Sequence, residues 1–347
     1  MVIGNTEIGR DKKPFIIAEM SGNHNGNLDR ALELVKAAAN AGAHALKLQT
    51  YTADTITLDC KGGLFDITDP NSLWFGRNLY ELYGEAHTPW EWHKEIFNYA
   101  KSLGMEAFSS PFDETAVDFL EGLNVPAYKI ASFESNHIPL LKKVAETGKP
   151  ILISSGTSKI NELYESISYL KECGAKDITI FKCTSTYPAT AENTNVNTIP
   201  VLQNIFPNCI IGLSDHTMGI GASVAAVALG ARVIEKHFTL DRSEGGVDSA
   251  FSLEPSELKN LVVETERAFL SLGQVQLDTQ KVETISRQFK RSIYAQKEIN
   301  IGDEFTIENL KVIRPGDGLH PKYFEGLIGK KAQRKITKGK PLAFEDL

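Results

Sequence analysis

Eight short apolar or β-branched runs, separated by longer amphipathic ones, constrain this 347-residue chain more than any other feature. They are FIIAE (15–19), ALKLQ (45–49), AFSSP (107–111), YKIAS (128–132), ILISS (151–155), ITIFKC (178–183), IIGLSD (210–215) and VIEKHF (233–238). Helical patterns such as LDRALELVKAAANAG (28–42) and ELYESISYLKECG (162–174) lie between most of them. Alternating βα units require a parallel sheet with helices outside it. Eight of them predict an α/β fold of the closed (β/α)8 TIM-barrel type. An open doubly wound sheet is the alternative, but its phosphate loop would show GxGxxG after the first strand. Here FIIAE runs into MSGNHNGN instead. Gly42, Gly104, Gly148, Gly174 and Gly230 each fall just past a helical run, where a C-cap glycine belongs.

The predicted strands turn polar at their carboxyl ends, where barrels of this class carry their functional residues. Glu19 ends the first, Lys47 and Gln49 the second, Ser109 and Ser110 the third, Lys129 and Ser132 the fourth. Ser154 and Ser155 follow on the fifth, Thr184 and Ser185 after the sixth, Asp215 and His216 on the seventh, His237 on the eighth. Succession at all eight ends predicts the mouth of an active site.

Strand alternation places Gly212, Ser214 and His216 on one face, and Glu235 and His237 on one face of the next strand. If both faces point inward, two imidazoles meet at similar height. They could share a divalent metal whose shell is completed by carboxylates and water. Two unrelated histidines, each satisfied by local hydrogen bonds, are the competing reading.

After about residue 272 the pattern changes. Residues 273–290 are polar and read as a linker, and 291–347 as a small second domain. INIGDEFTIENL (299–310) and ITKGKPLAFEDL (336–347) are copies of one another, each expected to be a turn, a strand and a short helix. A module this small needs support from something larger. Between the copies, IRPGDGLHP (313–321) predicts a tight exposed loop carrying Arg314 and His320.

The net charge of −7 argues against general binding to nucleic acid or anionic membranes, though a few local lysines can still hold a small anion. No window holds about 18 uninterrupted apolar residues, and no basic segment precedes a long apolar run at the N-terminus. Cys60, Cys173, Cys183 and Cys209 show no CxxC spacing, which predicts reduced thiols and a cytoplasmic location.

AEMSGNHNGN, LKLQTY, SSPFD, AYKIAS, LISSGT, CTSTYP, GLSDHT and EKHF, in that order, resemble the sialic acid synthase family. RPGDGL and the repeat resemble that family's antifreeze-like (SAF) module, so the resemblance covers nearly the whole chain. Within the family, SLWFGRNLYELYGEAHTPWEWH (72–93) and GGVD (245–248) are most similar to the pseudaminic acid synthase branch.

The resemblance implies a metal-dependent condensation of phosphoenolpyruvate with an amino sugar, with C–O cleavage. It implies His216 and His237 as metal ligands (manganese, magnesium or cobalt), and Glu19 as the carboxylate that orders or deprotonates a metal-bound water. Lys47, Lys129, Ser132, Ser154, Ser185 and Ser214 would surround phosphoenolpyruvate. Gln49, Glu134, Tyr187 and Asp248 would meet the sugar, for this branch a 2,4-diacetamido-2,4,6-trideoxyaltrose, in making a precursor for flagellin glycosylation. Glu134 could instead be only a helix N-terminal charge, and Asp248 a turn support. Ser185 stands where sialic acid synthases proper commonly carry Asn, which argues against a plain N-acetylmannosamine acceptor. The family also implies a domain-swapped homodimer, with Arg314 of one chain reaching the sugar held by the other.

Trp74, Trp90 and Trp92 fall within 20 residues, beside Phe75, Tyr80 and Tyr83. They read either as helix-packing aromatics or as an apolar wall for the deoxy sugar, with Trp74 the candidate contact. Legionaminate or sialate synthesis is the alternative within the family. A Schiff-base aldolase using Lys129 or Lys182 is the rival enzyme, and a non-catalytic sugar- or ice-binding protein the rival from another class.

Overall fold

A computed structural model describes residues 1–347. Eight parallel strands close into a barrel: β1 (Phe15–Glu19), β2 (Ala45–Thr50), β3 (Glu106–Pro111), β4 (Tyr128–Ile130), β5 (Ile151–Ser154), β6 (Ile178–Cys183), β7 (Ile210–Asp215) and β8 (Val233–His237). β8 pairs with β7 on one side and β1 on the other, which completes the ring. The predicted strands and their order are those observed; the fourth is shorter, because Ser132–Glu134 turns into a 3-10 helix.

Eight helices follow the strands in turn: α1 (Leu28–Ala41), α2 (His93–Ser102), α3 (Glu114–Gly122), α4 (Ile138–Glu146), α5 (Ile160–Glu172), α6 (Thr198–Ile205), α7 (Gly221–Ala228) and α8 (Pro255–Leu272). In α1, Ala31, Leu34, Val35, Ala38 and Ala41 form one buried stripe. Asn27 caps its start by accepting from the Arg30 N–H, and Gly42 ends it at φ +88°. A hairpin, Val2–Ile3 against Thr6–Glu7, covers the amino end of the barrel. Ile3 and Ile8 are buried, the Asn5 N–H donates to Glu106 at the start of β3, and Met1 Sδ lies 3.7 Å from Thr179 near the start of β6.

Gly212 is dictated by packing inside the wall. A Cβ there would sit 2.5 Å from the Val233 carbonyl and 2.8 Å from the Phe181 ring, so the large Phe181 requires its neighbour to be small. No helix is long and apolar enough to cross a membrane.

Residues Gln274–Leu347 form a second compact unit. Its core is Ile293, Ala295, Ile299, Phe305, Leu310, Leu319, Leu327, Ala332, Ile336 and Leu342. β9 (Ser292–Ala295) pairs antiparallel with β10 (Leu310–Ile313). The sequence repeat is a structural one. Ile299 and Ile336, equivalent in the two copies, bond each other reciprocally at 2.9 Å. The Gly302 N–H donates to Ala332 and the Gly339 N–H to Ala295, each at 2.8 Å and offset by the repeat. The copies thus pair about a pseudo-two-fold axis. The strand expected in each copy reduces to isolated bridges, because each copy bonds its partner at single positions. Within 274–290 the backbone forms two 3-10 turns, Lys281–Glu283 and Ile285–Phe289, and the Gly316 N–H bonds the Gln288 carbonyl at 2.9 Å.

Candidate active site

Register brings the predicted residues together. His237, Glu19 and Lys47 are partners across β8, β1 and β2, and Glu235, Ser214 and Cys183 across β8, β7 and β6. At the centre is a buried cluster of four charges. Lys47 Nζ lies 2.6 Å from Glu19 and 3.6 Å from Glu235, Lys129 Nζ lies 3.0 Å from Glu235, and all four side chains are at most 4% exposed. Lys47 also donates to Ser110 at 3.0 Å, and Ser214 to Glu235 at 3.2 Å.

Burial alone would raise the Glu235 carboxyl, but Lys129 and Lys47 outweigh it and hold it down to about 2. Glu19 is also buried, and although Lys47 and the Ser21 N–H contact it, desolvation wins and its carboxyl is raised. Burial pulls Lys129 down. Lys47 is raised: its two carboxylates overcome the burial that would lower it. With both lysines charged the cluster is balanced, and of its two carboxyls burial raises Glu19 while the lysines lower Glu235.

The serines line the next level. Ser132 Oγ and Ser185 Oγ are 2.6 Å apart, and Ser154 Oγ is buried without a partner. Gly156 passes directly over this pair: a Cβ would lie 2.1 Å from Ser132 Cβ and 2.4 Å from Ser185 Oγ. Glu134 Oε2 is likewise buried and unpaired, and burial raises this carboxyl to about 7. Buried polar atoms without partners are costly, and here they gather around one mouth.

The two imidazoles stand 5.4 Å apart, centroid to centroid. His216 Nδ1 is held by the Thr184 carbonyl at 2.9 Å, which leaves Nε2 as its outward nitrogen. His237 Nδ1 is buried without a hydrogen bond, 3.6 Å from Asp248 Oδ2. Burial, then His216 and the lysines, keep His237 neutral, as a metal ligand must be. No group of three or more His, Cys, Asp and Glu side chains is arranged to hold a metal. The pair therefore fits a divalent ion only as an open site, with water and substrate oxygens supplying the remaining ligands.

Gln49, Ser21 and Asp248 form a chain beside the histidines: Gln49 Nε2 donates to Ser21 Oγ at 3.3 Å, and Ser21 Oγ donates to Asp248. Tyr187 packs 4.5 Å from His216, 5.4 Å from Phe251 and 5.8 Å from Trp74. Trp74 Nε1 donates to the Val247 carbonyl at 3.0 Å, which clips the 72–78 segment to the loop before Asp248.

Several expectations need correction. Ser109 faces away from the bore: Thr50 bonds it at 2.6 Å and also bonds His93 of α2. Asp215 points outward toward α7, where Ser223 donates to it. Lys182 also points outward, to the Thr184 hydroxyl at 2.6 Å, so it is no nucleophile for the bore. The physical reason is the same in each case, since neighbours on a strand take opposite faces. The tryptophans separate: Trp90 packs on Phe119 at 4.7 Å and Trp92 on His24 at 5.5 Å, and only Trp74 reaches the mouth. Arg314 lies in the second unit, exposed, in the loop after β10.

Residues that sequence reasoning did not assign are Glu235, Ser21, Cys183 and Phe251, whereas Ser110 was placed at the mouth and meets Lys47 there. Glu235 carried a signal, since it shares a face with His237. Phe251, 4.9 Å from His237, lies on a 3-10 turn with no periodicity to announce it.

The NeuB family model matches residues 34–277, and the SAF domain model matches 290–347. The chain is 46% identical over 342 residues to the pseudaminic acid synthase of Campylobacter jejuni, covering 99% of this chain and 98% of that one. It is 42% identical to the pseudaminic acid synthase of Helicobacter pylori, covering 96% and 98%. Among solved structures, the N-acetylneuraminic acid synthetase of Leptospira borgpetersenii superposes with a TM-score of 0.74 at 32% identity, covering 82% of this chain and 94% of that one. With the NeuB model matched over most of its length and relatives of 42–46% identity along nearly the whole chain, this chain belongs to the NeuB family.

Proposed function

We propose that the protein condenses phosphoenolpyruvate with 2,4-diacetamido-2,4,6-trideoxy-L-altrose and water to give pseudaminic acid and phosphate. The reading rests on one juxtaposition: a lysine–serine pocket, in which the buried Ser154 hydroxyl has no partner, beside the His216–His237 pair. Full-length identity to two pseudaminic acid synthases supports the choice of sugar.

Lys47 and Lys129 would hold the phosphate and carboxylate of phosphoenolpyruvate, with Ser132, Ser154, Ser185 and Ser214 donating around them. Lys47, Lys129, Glu19 and Glu235 sum to no net charge, so a strongly anionic substrate brings an imbalance into a buried site. His216 and His237 would hold a divalent cation, which would offset that imbalance and supply Lewis-acid polarisation of the sugar aldehyde. Manganese or cobalt fits a shell of two imidazoles and oxygen donors, and magnesium only where carboxylates and water dominate it.

The methylene carbon of phosphoenolpyruvate attacks C1 of the open-chain sugar. Water then adds at C2 of the former phosphoenolpyruvate, and phosphate leaves by C–O cleavage. Glu19 takes the proton from the attacking water. Gln49, Asp248 and Tyr187 orient the sugar, and Trp74 gives its methyl end an apolar wall. Glu134, raised to about 7, is poised near neutral pH, and its protonated form donates toward the developing alkoxide. Arg314 would come from a second chain in a domain-swapped dimer. Val275, Leu277, Val282 and Ile285 are 76% or more exposed in one chain, which supports a partner that covers them. The reaction is placed in the cytoplasm, where phosphoenolpyruvate is made.

The test is phosphate release with the altrose, its legionaminate-series counterpart and N-acetylmannosamine as acceptors, each with EDTA and after manganese is restored. Chelator-sensitive turnover of the altrose supports the reading. Preference for another sugar moves the branch. No turnover with metal restored, together with borohydride trapping at Lys129, would replace it with the aldolase.

A further inference from the structure

Behind the strands that carry His216 and His237 lies a second buried ion pair. Asp215 and Lys236 are partners across β7 and β8, each 1% exposed. Both point away from the bore, as alternation requires when 216 and 237 point inward. Lys236 Nζ donates to the Thr217 carbonyl and, at 2.9 Å, to the Gly219 carbonyl, and lies 3.2 Å from Asp215 Oδ2. Asp215 Oδ1 accepts from the Thr217 N–H at 2.9 Å and the Thr217 hydroxyl at 2.7 Å, and Oδ2 accepts from Ser223 of α7 at 2.6 Å.

None of these groups faces substrate, so the chemistry does not use them. What they fix is geometry. Every ammonium contact ends at residue 215, 217 or 219, on the segment that carries His216. The lysine itself is the chain neighbour of His237. The backbone on both sides of one imidazole is therefore tied to the residue before the other. The imidazoles have few tethers of their own: His216 has the Thr184 carbonyl, and His237 Nδ1 has none. A buried ion pair seldom stabilises a fold more than apolar residues would. Fixing register is the better-attested use of such a pair.

We propose that Asp215 and Lys236 are positioning residues, a strut in the outer wall of the barrel that sets the separation of His216 and His237 and thereby the affinity for a divalent metal. The proposal rests on the reading of the two histidines as metal ligands.

Mn2+ and Co2+ titrations of the full chain test it, with the Co2+ ligand-field spectrum reporting coordination and near-ultraviolet dichroism reporting the fold. The variants are Lys236→Met and the double Asp215→Asn/Lys236→Met, which leaves no charge alone. Mn2+ binding about tenfold weaker or more, an altered Co2+ spectrum, and turnover recovered at saturating Mn2+ are expected in both. Folded variants that bind Mn2+ within about twofold of wild type overturn the strut. If neither variant folds, Ser223→Ala decides, since it removes one hydroxyl from Asp215 and unpairs no charge. Binding weakened about threefold or more supports the strut, and unchanged affinity overturns it. A wild-type chain that binds neither ion overturns the metal reading, and the strut with it; binding by the wild type separates the two failures.

Discussion

Lys129 Nζ and Glu235 Oε1 lie 3.0 Å apart across the barrel, and the same carboxylate is 3.6 Å from Lys47. Glu235 is thus the shared counter-ion of both cations proposed to hold phosphoenolpyruvate. Glu235→Gln leaves two buried ammoniums facing one carboxylate. Folding stability should fall by about 3 kcal/mol, the typical penalty for breaking a buried pair. Phosphoenolpyruvate should restore part of it, so that the ligand-induced rise in Tm exceeds that of the wild type. Calorimetry with and without phosphoenolpyruvate measures this, and equal rises in both proteins would contradict the assignment.

Glu134 gives a pH prediction. Its folded carboxyl, raised by burial to about 7, exceeds the ordinary value of 4.5. A raised carboxyl favours folding while it is protonated. That contribution is complete below the unfolded value and is lost as pH rises through the folded one. Glu134→Gln should therefore be more stable than wild type at pH 8, by up to about 3 kcal/mol, with the difference vanishing below about pH 4.5. The same substitution should slow turnover and remove a limb of the pH–rate profile near neutrality. Denaturant melts of both proteins across this range decide it. A pH-independent difference would mean that the side chain is not held neutral.

Gly156 is needed for room. A Cβ would overlap Ser132 at 2.1 Å and Ser185 at 2.4 Å. Gly156→Ala must push these hydroxyls apart, at about 1–3 kcal/mol of overpacking. The KM for phosphoenolpyruvate should rise about tenfold or more, because displaced buried donors act on the anion. The KM for the sugar should change little. An unaltered phosphoenolpyruvate KM in a folded variant would remove the serine pair from the anion site.

Trp74 makes two contacts with different consequences. Its ring meets Tyr187, and its N–H holds the Val247 carbonyl. Trp74→Phe keeps an apolar ring and loses the clip, whereas Trp74→Ala loses both. If the ring forms the wall for the deoxy sugar, Ala should lower kcat/KM for the altrose by about tenfold or more. N-acetylmannosamine turnover should fall less, and Phe should retain most of the preference. Equal loss for every acceptor would show that Trp74 acts only by holding the loop.

The barrel was readable because most strands are largely apolar until their carboxyl ends and most helices carry one buried apolar stripe. What spacing alone could not supply was the absolute face. Ser109 and Ser110 are neighbours, and only barrel closure decides that Ser110 meets Lys47 while Ser109 meets Thr50. Lys182 and Asp215 were misread for the same reason. Phe251 and Ser21 escaped notice because they sit on irregular backbone: one on a 3-10 turn, the other at φ +48°. The motif order supplied the histidine pair, but not the outer network behind it.

Arg314 yields the sharpest test of a swapped dimer. It is exposed and enters no ion pair within one chain. If it serves the partner's site, a Lys129→Met chain has an inactive barrel and a working arm, and an Arg314→Ala chain the reverse. A dimer of the two variants then contains one site with an intact barrel and an intact arm. Random exchange makes half the dimers mixed, so co-refolded or co-expressed variants should recover about a quarter of wild-type activity, although each alone is nearly inactive. An arm that serves its own barrel gives no intact site in any combination, and the mixture would then be no more active than the average of its parts.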